Sequence, residues 1–307
     1  MRPAPILARW QLGPLVGGAF EARLVLDEPA WFAGHYPGAP IFPGTFLVEA
    51  LLQAVLASLG SAFCLDEIVA CRFYAPLFPG DEVRAAFTLK DAGDGRMVVE
   101  AIATGRAKAA QVTLVVAPSS VPLARGTFTP PLAEAHASGR ALDAAFIRGV
   151  LPHRPPALLL DSAFLPDQAG APLSLRARKA ITVSEPSYAD SGASGSYPPP
   201  LIVESFCQAC GLLRAATGAP EVMESSGELS GDAKVPVVAK LAALRFLGDA
   251  APGDVLEHHV QLVVRTEDGA VFSGQTVVGD RVILRVGRVV AARARLAIDF
   301  DTPTVAG

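Results

Sequence analysis

The sequence predicts an α+β protein written twice, each half a long apolar helix followed by antiparallel strands. Three observations predict it. Residues 43–55 (PGTFLVEALLQAV) and 199–211 (PPLIVESFCQACG) are both apolar runs with Glu and Gln four apart, Glu49 with Gln53 and Glu204 with Gln208. That spacing puts the two side chains on one helix face. Arg-Phe stands seven residues ahead of Pro-Gly-Asp in both halves, at Arg72 and Pro79 and again at Arg245 and Pro252. Each Pro-Gly-Asp is followed by Val- and Ala-rich sequence that alternates with period two.

The elements follow in order. The window 46–65 is the most apolar in the chain. Glu49 and Gln53 near its start suit a buried helix better than a membrane span. Strands follow at 83–89, 97–105 and 110–118, with a tight turn at 91–95. Residues 118–139 are rich in Pro and Ser and read as a linker. The chain therefore divides into a first unit at 1–117, which carries His35, and a second at 140–307, which carries Glu204. In the second unit the helix is followed by a polar Gly/Ser-rich loop at 221–234, then strands at 256–266, 270–278 and 281–298.

Composition narrows the function. The chain has 307 residues, 51% of them hydrophobic, enough for a large core. Its 26 basic and 30 acidic residues leave a net charge of −4, which argues against a nucleic-acid partner. The four cysteines are too few for a disulfide framework, so a reducing cytoplasm is expected. Cys207 and Cys210 lack a second pair for zinc and read as core residues. His258 and His259 lie in an alternating strand, so one should point in and one out. No dinucleotide fingerprint, phosphate loop or Gly-x-Ser-x-Gly elbow appears.

Residues 32–44 read FAGHYPGAPIFPG, and Glu49 lies 14 residues after His35. This segment resembles the 3-hydroxyacyl-ACP dehydratases of the hotdog fold, whose members carry Gly-His-Phe-Pro-Gly, a Pro-Gly that opens the helix, and a Glu at that spacing. Tyr36 replaces the usual Phe. VLPHRPPALLLD at 150–161 resembles the family's amino-terminal segment, and VESFCQACG at 203–211 its helix. The resemblance covers nearly the whole chain apart from the linker and loops.

The resemblance implies a double hotdog, two antiparallel sheets each wrapped around a long central helix and joined side by side, similar to polyketide synthase dehydratase domains. It implies dehydration of a (3R)-3-hydroxyacyl thioester to a trans-2-enoyl thioester, in fatty-acid or polyketide-type biosynthesis, with no cofactor, no metal and no membrane. The substrate would arrive on an acyl carrier protein or on CoA. The chain would act as a monomer of fused hotdogs or as a homodimer.

In the family the His of one unit works with the acid of the other. The second half has no His between His153 and His258. His35 is therefore expected to work with Glu204, leaving Glu49 and Gln53 in an inactive second site that faces Asp190 and Ser191. His35 would be the base. Glu204, its pKa raised by burial, would be the acid. Gly44 or Leu201 would supply an N–H to the enolate oxygen, because Pro199 has none. Gln208 would support Glu204, and Phe42, Phe46, Leu201 and Phe206 would line an acyl tunnel. Arg154, Arg176, Arg178 and Lys179 would meet an acidic carrier protein. Two other readings fit the same sequence: a thioesterase or enoyl isomerase on this fold, and a degenerate, non-catalytic binding protein.

Overall fold

The computed structural model describes residues 4–60, 63–119, 126–127, 138–167, 173–188, 195–217, 234–267 and 269–295. The first half holds β1 (Gln11–Leu12), β2 (Ala19–Val25), α1 (Gly44–Leu59), β3 (Phe63–Phe73), β4 (Glu82–Gly93), β5 (Arg96–Thr104) and β6 (Lys108–Pro118). After β7 (Gly126–Thr127), the second half holds β8 (Gly139–Leu142), α2 (Ala144–Val150), β9 (Ser162–Pro166), β10 (Ser174–Ala180) and α3 (Pro199–Ala216). It ends with β11 (Lys234–Phe246), β12 (Val255–Arg265), β13 (Gly269–Val278) and β14 (Arg281–Arg295).

The strands form one sheet in the order β1-β2-β4-β5-β6-β3-β11-β14-β13-β12-β10-β9-β8. Each half contributes the same run, 2-4-5-6-3 on one side and 11-14-13-12-10 on the other, and β3 pairs antiparallel with β11 at the seam. This is the double hotdog. The repeated Arg-Phe marks the end of each seam strand, at Phe73 and Phe246. The repeated Pro-Gly-Asp is the same turn twice. Gly80 and Gly253 have φ of 83° and 99°, which favours glycine. Asp81 accepts from the Phe78 N–H at 2.8 Å, and Asp254 from the Ala251 N–H at 2.9 Å.

α1 is apolar nearly all round, as a helix enclosed by a sheet must be. It ends at Leu59 before Gly60 (φ 91°), so Phe63–Leu65, expected as helix, begin β3 instead. α3 starts with Pro199 and Pro200, positions where a missing N–H leaves no hydrogen bond unmade. Strands β2, β3, β10 and β11 were not expected. They flank the helices and complete each half's wrap. One core cluster runs through both halves and includes residues of α1 and α3. Most of the expected linker and of the loop at 221–234 lies outside the described residues, as do Asp190 and Ser191. Within the linker, Gly126–Thr127 pair with Arg281 and Val282 of β14. No helix among the described residues is long and apolar enough to cross a membrane.

Candidate active site

Three segments meet where the halves join. The loop before α1 carries His35, the start of α1 carries Thr45, and α3 carries Glu204. A fourth segment, 151–154, adds His153, which sequence reasoning passed over. One ligating atom each from His35, His153 and Glu204 lie within 4.8 Å of one another. The two loops are tied directly, since the Arg154 N–H donates to the Gly34 carbonyl at 2.8 Å. Gly34 has φ 74°, and a Cβ there would lie 2.0 Å from the Arg154 carbonyl oxygen, so only glycine lets the loops approach.

His35 is 8% exposed, and its Nδ1 contacts the Ile41 carbonyl at 2.9 Å. A carbonyl only accepts, so Nδ1 carries the hydrogen and Nε2 keeps its lone pair. Burial, followed by the charge of His153, lowers the His35 pKa to about 4 against the opposing pull of Glu204 and Ile41. The ring is thus neutral at neutral pH and competent as a base.

Glu204 corrects one expectation. Burial does push its carboxyl up, but the opposing effects win. A hydrogen bond and charge from His153, the charge of His35 and a hydrogen bond from Gln208 bring it down to about 2. Oε2 accepts from the Thr45 hydroxyl at 2.9 Å, across the halves. Oε1 accepts from Gln208 Nε2 at 3.1 Å and lies 3.4 Å from His153 Nε2. Glu204 therefore rests as a carboxylate. Gln208 is itself fixed, accepting from the Leu159 N–H at 3.0 Å and donating to the Ala157 carbonyl at 2.8 Å.

Glu49 is buried away from this cluster. Gln53 donates to it at 2.9 Å, and Gln53 also bonds the backbone of Ile6 and Ala8. This mirrors Gln208 with Glu204. Both oxygens of Glu204 are engaged, and His153 Nδ1 is buried without a partner. A metal-bound imidazole is normally oriented through its second nitrogen. The donor set thus suits proton transfer better than metal binding.

A cavity of about 330 Å³ opens beside the cluster, lined by His35, Phe42, Gly44, His153, Glu204 and Cys207 among others. A smaller one, about 70 Å³, touches His35 and Glu204 from another side and is lined by Phe46 and Leu201. Phe206 lines neither. It is fully buried, edge-on to the His258 ring, so it belongs to the core and not to a tunnel. The Leu201 N–H already donates to the Pro198 carbonyl at 3.0 Å, which removes it as an oxyanion donor. Gly44 remains. It is the first residue of α1, where N–H groups have no intrahelical acceptor, and it lines the large cavity. A Cβ there would lie 2.8 Å from the Phe73 ring.

Other sequence expectations resolve here too. Cys207 lines the cavity, but burial, then Cys210 and Glu204, push its thiol up, so it stays protonated. His258 and His259 are both buried, not one in and one out. His258 faces Thr276 at 2.9 Å, and His259 pairs with Glu257 at 3.0 Å. The four cations expected to meet a carrier each have a partner within the chain, although Arg178 stays exposed. Arg178 pairs with Glu257, and Lys179 is buried against Glu185. Arg154 donates to the carbonyls of Leu151 and His153, and Arg176 lies over the Phe164 ring.

Comparison with known proteins agrees with this fold. The ApeI-like family model, described as ApeI dehydratase, matches residues 19–110. The 3-hydroxyacyl-[acyl-carrier-protein] dehydratase FabZ of Anaeromyxobacter sp. (strain Fw109-5) is 31% identical over 148 residues, 46% of this chain and 87% of the relative. A solved type I polyketide synthase dehydratase superposes with a TM-score of 0.63 at 19% identity, covering 94% of this chain and 98% of that one. The dehydratase domain of PpsC from Mycobacterium tuberculosis, solved in complex with C12:1-CoA, gives 0.61 at 21% identity, with 94% and 99% covered. At such identities the structures speak for the fold alone, whereas the FabZ match spans most of that enzyme. On that match, the chain belongs to the 3-hydroxyacyl-[acyl-carrier-protein] dehydratase FabZ family.

Proposed function

We propose that this chain dehydrates a (3R)-3-hydroxyacyl thioester, carried by an acyl carrier protein, to the trans-2-enoyl thioester. One observation carries the reading. A neutral imidazole from one half and a carboxylate from the other converge within 4.8 Å beside an apolar cavity. His35 Nε2 removes the proton next to the thioester carbonyl, and the Gly44 N–H takes the charge that develops on the carbonyl oxygen. Glu204, ionised at rest, accepts a hydrogen bond from the 3-hydroxyl and stabilises the His35 imidazolium. As the C3–O bond breaks, the oxygen takes the proton from His35 and leaves as water. The proton lost from C2 is thus the proton gained by the leaving hydroxide. Thr45 and Gln208 hold Glu204 in place, and His153 positions the same carboxylate. The two units at 1–117 and 140–307 act together, with one working site between them.

The test is hydration of a trans-2-butenoyl thioester, the reverse reaction. His35→Ala and Glu204→Gln should each lower kcat by about 10²–10⁴-fold. Glu49→Gln should stay within a few-fold of the parent. Loss with Glu49→Gln and retention with Glu204→Gln would overturn the pairing across halves. Release of free thiol without hydration would identify a thioesterase instead.

A further inference from the structure

A basic stripe crosses the outer face of the sheet where the halves meet. Arg72 of β3 stands directly opposite Lys240 of β11, and Arg245 of β11 directly opposite Arg285 of β14. Arg288 of β14 stands opposite Ala242, between them. Like charges directly opposite on neighbouring strands are destabilising. Here two such pairs occur in a chain whose net charge is −4. Arg72, Arg245, Arg285 and Arg288 are exposed and Lys240 is half-buried. Among the described residues none of the five makes an ion pair. Glu67, in register with Arg245, does not come within ion-pair distance of it.

The stripe connects to the large cavity. Tyr74 lines that cavity and is 50% exposed, so the cavity reaches the surface there. Lys108 Nζ lies 4.6 Å from the Tyr74 ring centre and donates to Gln111 at 2.8 Å. Gln111 is the cross-strand neighbour of Arg72, which in turn neighbours Lys240. From Lys240 to Arg245 the strand advances about 17 Å. Cations therefore recur along the seam from the mouth of the cavity.

We propose that this stripe is the docking surface for an acidic carrier protein that presents the acyl thioester to the cavity. The inference rests on the dehydratase reading above. An acidic surface laid here would relieve the repulsion that the fold tolerates without it, and would steer encounter through long-range attraction.

The test compares trans-2-butenoyl on an acyl carrier protein with the same acyl group on N-acetylcysteamine. The variant is the triple Arg245→Gln, Arg285→Gln, Arg288→Gln, none of which touches the catalytic cluster. Its kcat/KM for the carrier-bound substrate should fall about tenfold or more at low salt, and its salt dependence should flatten. Turnover of the N-acetylcysteamine thioester should be unchanged, and the triple Arg→Lys variant should behave like the parent. Equal loss on both substrates, or no loss on the carrier, would overturn the docking surface. If the parent turns over neither substrate, the dehydratase reading fails separately. Carrier binding to the parent and the triple variant, read by fluorescence anisotropy, then decides the docking surface alone. Equal binding, or preference of the stripe for nucleic acid over carrier, refutes it.

Discussion

At the residue scale, burial disfavours the charged form of both His35 and Glu204, yet the two end in different states. His35 is held neutral and Glu204 is held ionised, although both are desolvated. The difference lies in partners. Glu204 has three side chains pointing at its oxygens, whereas His35 has one carbonyl and a neighbouring imidazole. The acid limb of kcat/KM should therefore lie near pH 4, where His35 gains its proton, and not near 6.5. A limb near 6.5 in the parent would show that burial does not hold the His35 ring neutral. The same shifts bear on stability. Unfolded His35 and His258 titrate near 6.5, but in the fold burial, the largest cause for each, lowers them to about 4 and about 3. Between those values the unfolded chain binds more protons, so stability rises with pH there and is lost as pH falls. The urea midpoint should drop between pH 7 and pH 4.5, by on the order of a few kcal/mol in unfolding free energy. An unchanged midpoint would contradict the burial of both rings.

At the scale of elements, the decisive piece is the close approach of the His35 loop to the segment 151–154. Gly34→Ala puts a side chain into the Arg154 carbonyl and into a left-handed backbone conformation. Backbone strain of this kind costs about 1–3 kcal/mol. The larger effect should be on turnover, since the loop must move and carry His35 with it. We expect Gly34→Ala to lose kcat while its thermal midpoint falls by only a few degrees. A variant with the parent's kcat would show that the contact between loops does not set the geometry. The helices were legible in sequence because their Glu-x-x-x-Gln pairs and apolar runs are local signals. The flanking strands were not. β3 and β11 follow their helices after short or divergent connections, and long-range pairing, with each other and with β6 and β14, defines them. His153 was missed for a related reason. It lies 51 residues before Glu204, in a segment read only for its resemblance.

At the scale of the whole molecule, the seam makes two repeats into one body. β3 pairs with β11, α1 packs on α3, and one core spans both halves. The chain should therefore unfold in a single cooperative transition, with far- and near-ultraviolet circular dichroism coinciding. Two separated transitions would mean that the halves are independently stable. Sequence alone determined the repeat with its two Pro-Gly-Asp motifs, the two central helices and His35 as one half's unmatched imidazole. Those depend on periodicity and turn chemistry within a few residues. Only the tertiary structure decided that Glu204 rests ionised, that His153 shares it, that Leu201 has no N–H to give and that Phe206 belongs to the core. The state of Glu204 depends on Thr45 from across the seam and on His153 and Gln208 within its own half, and the place of Phe206 on the His258 ring packed against it, contacts that residue spacing alone does not encode.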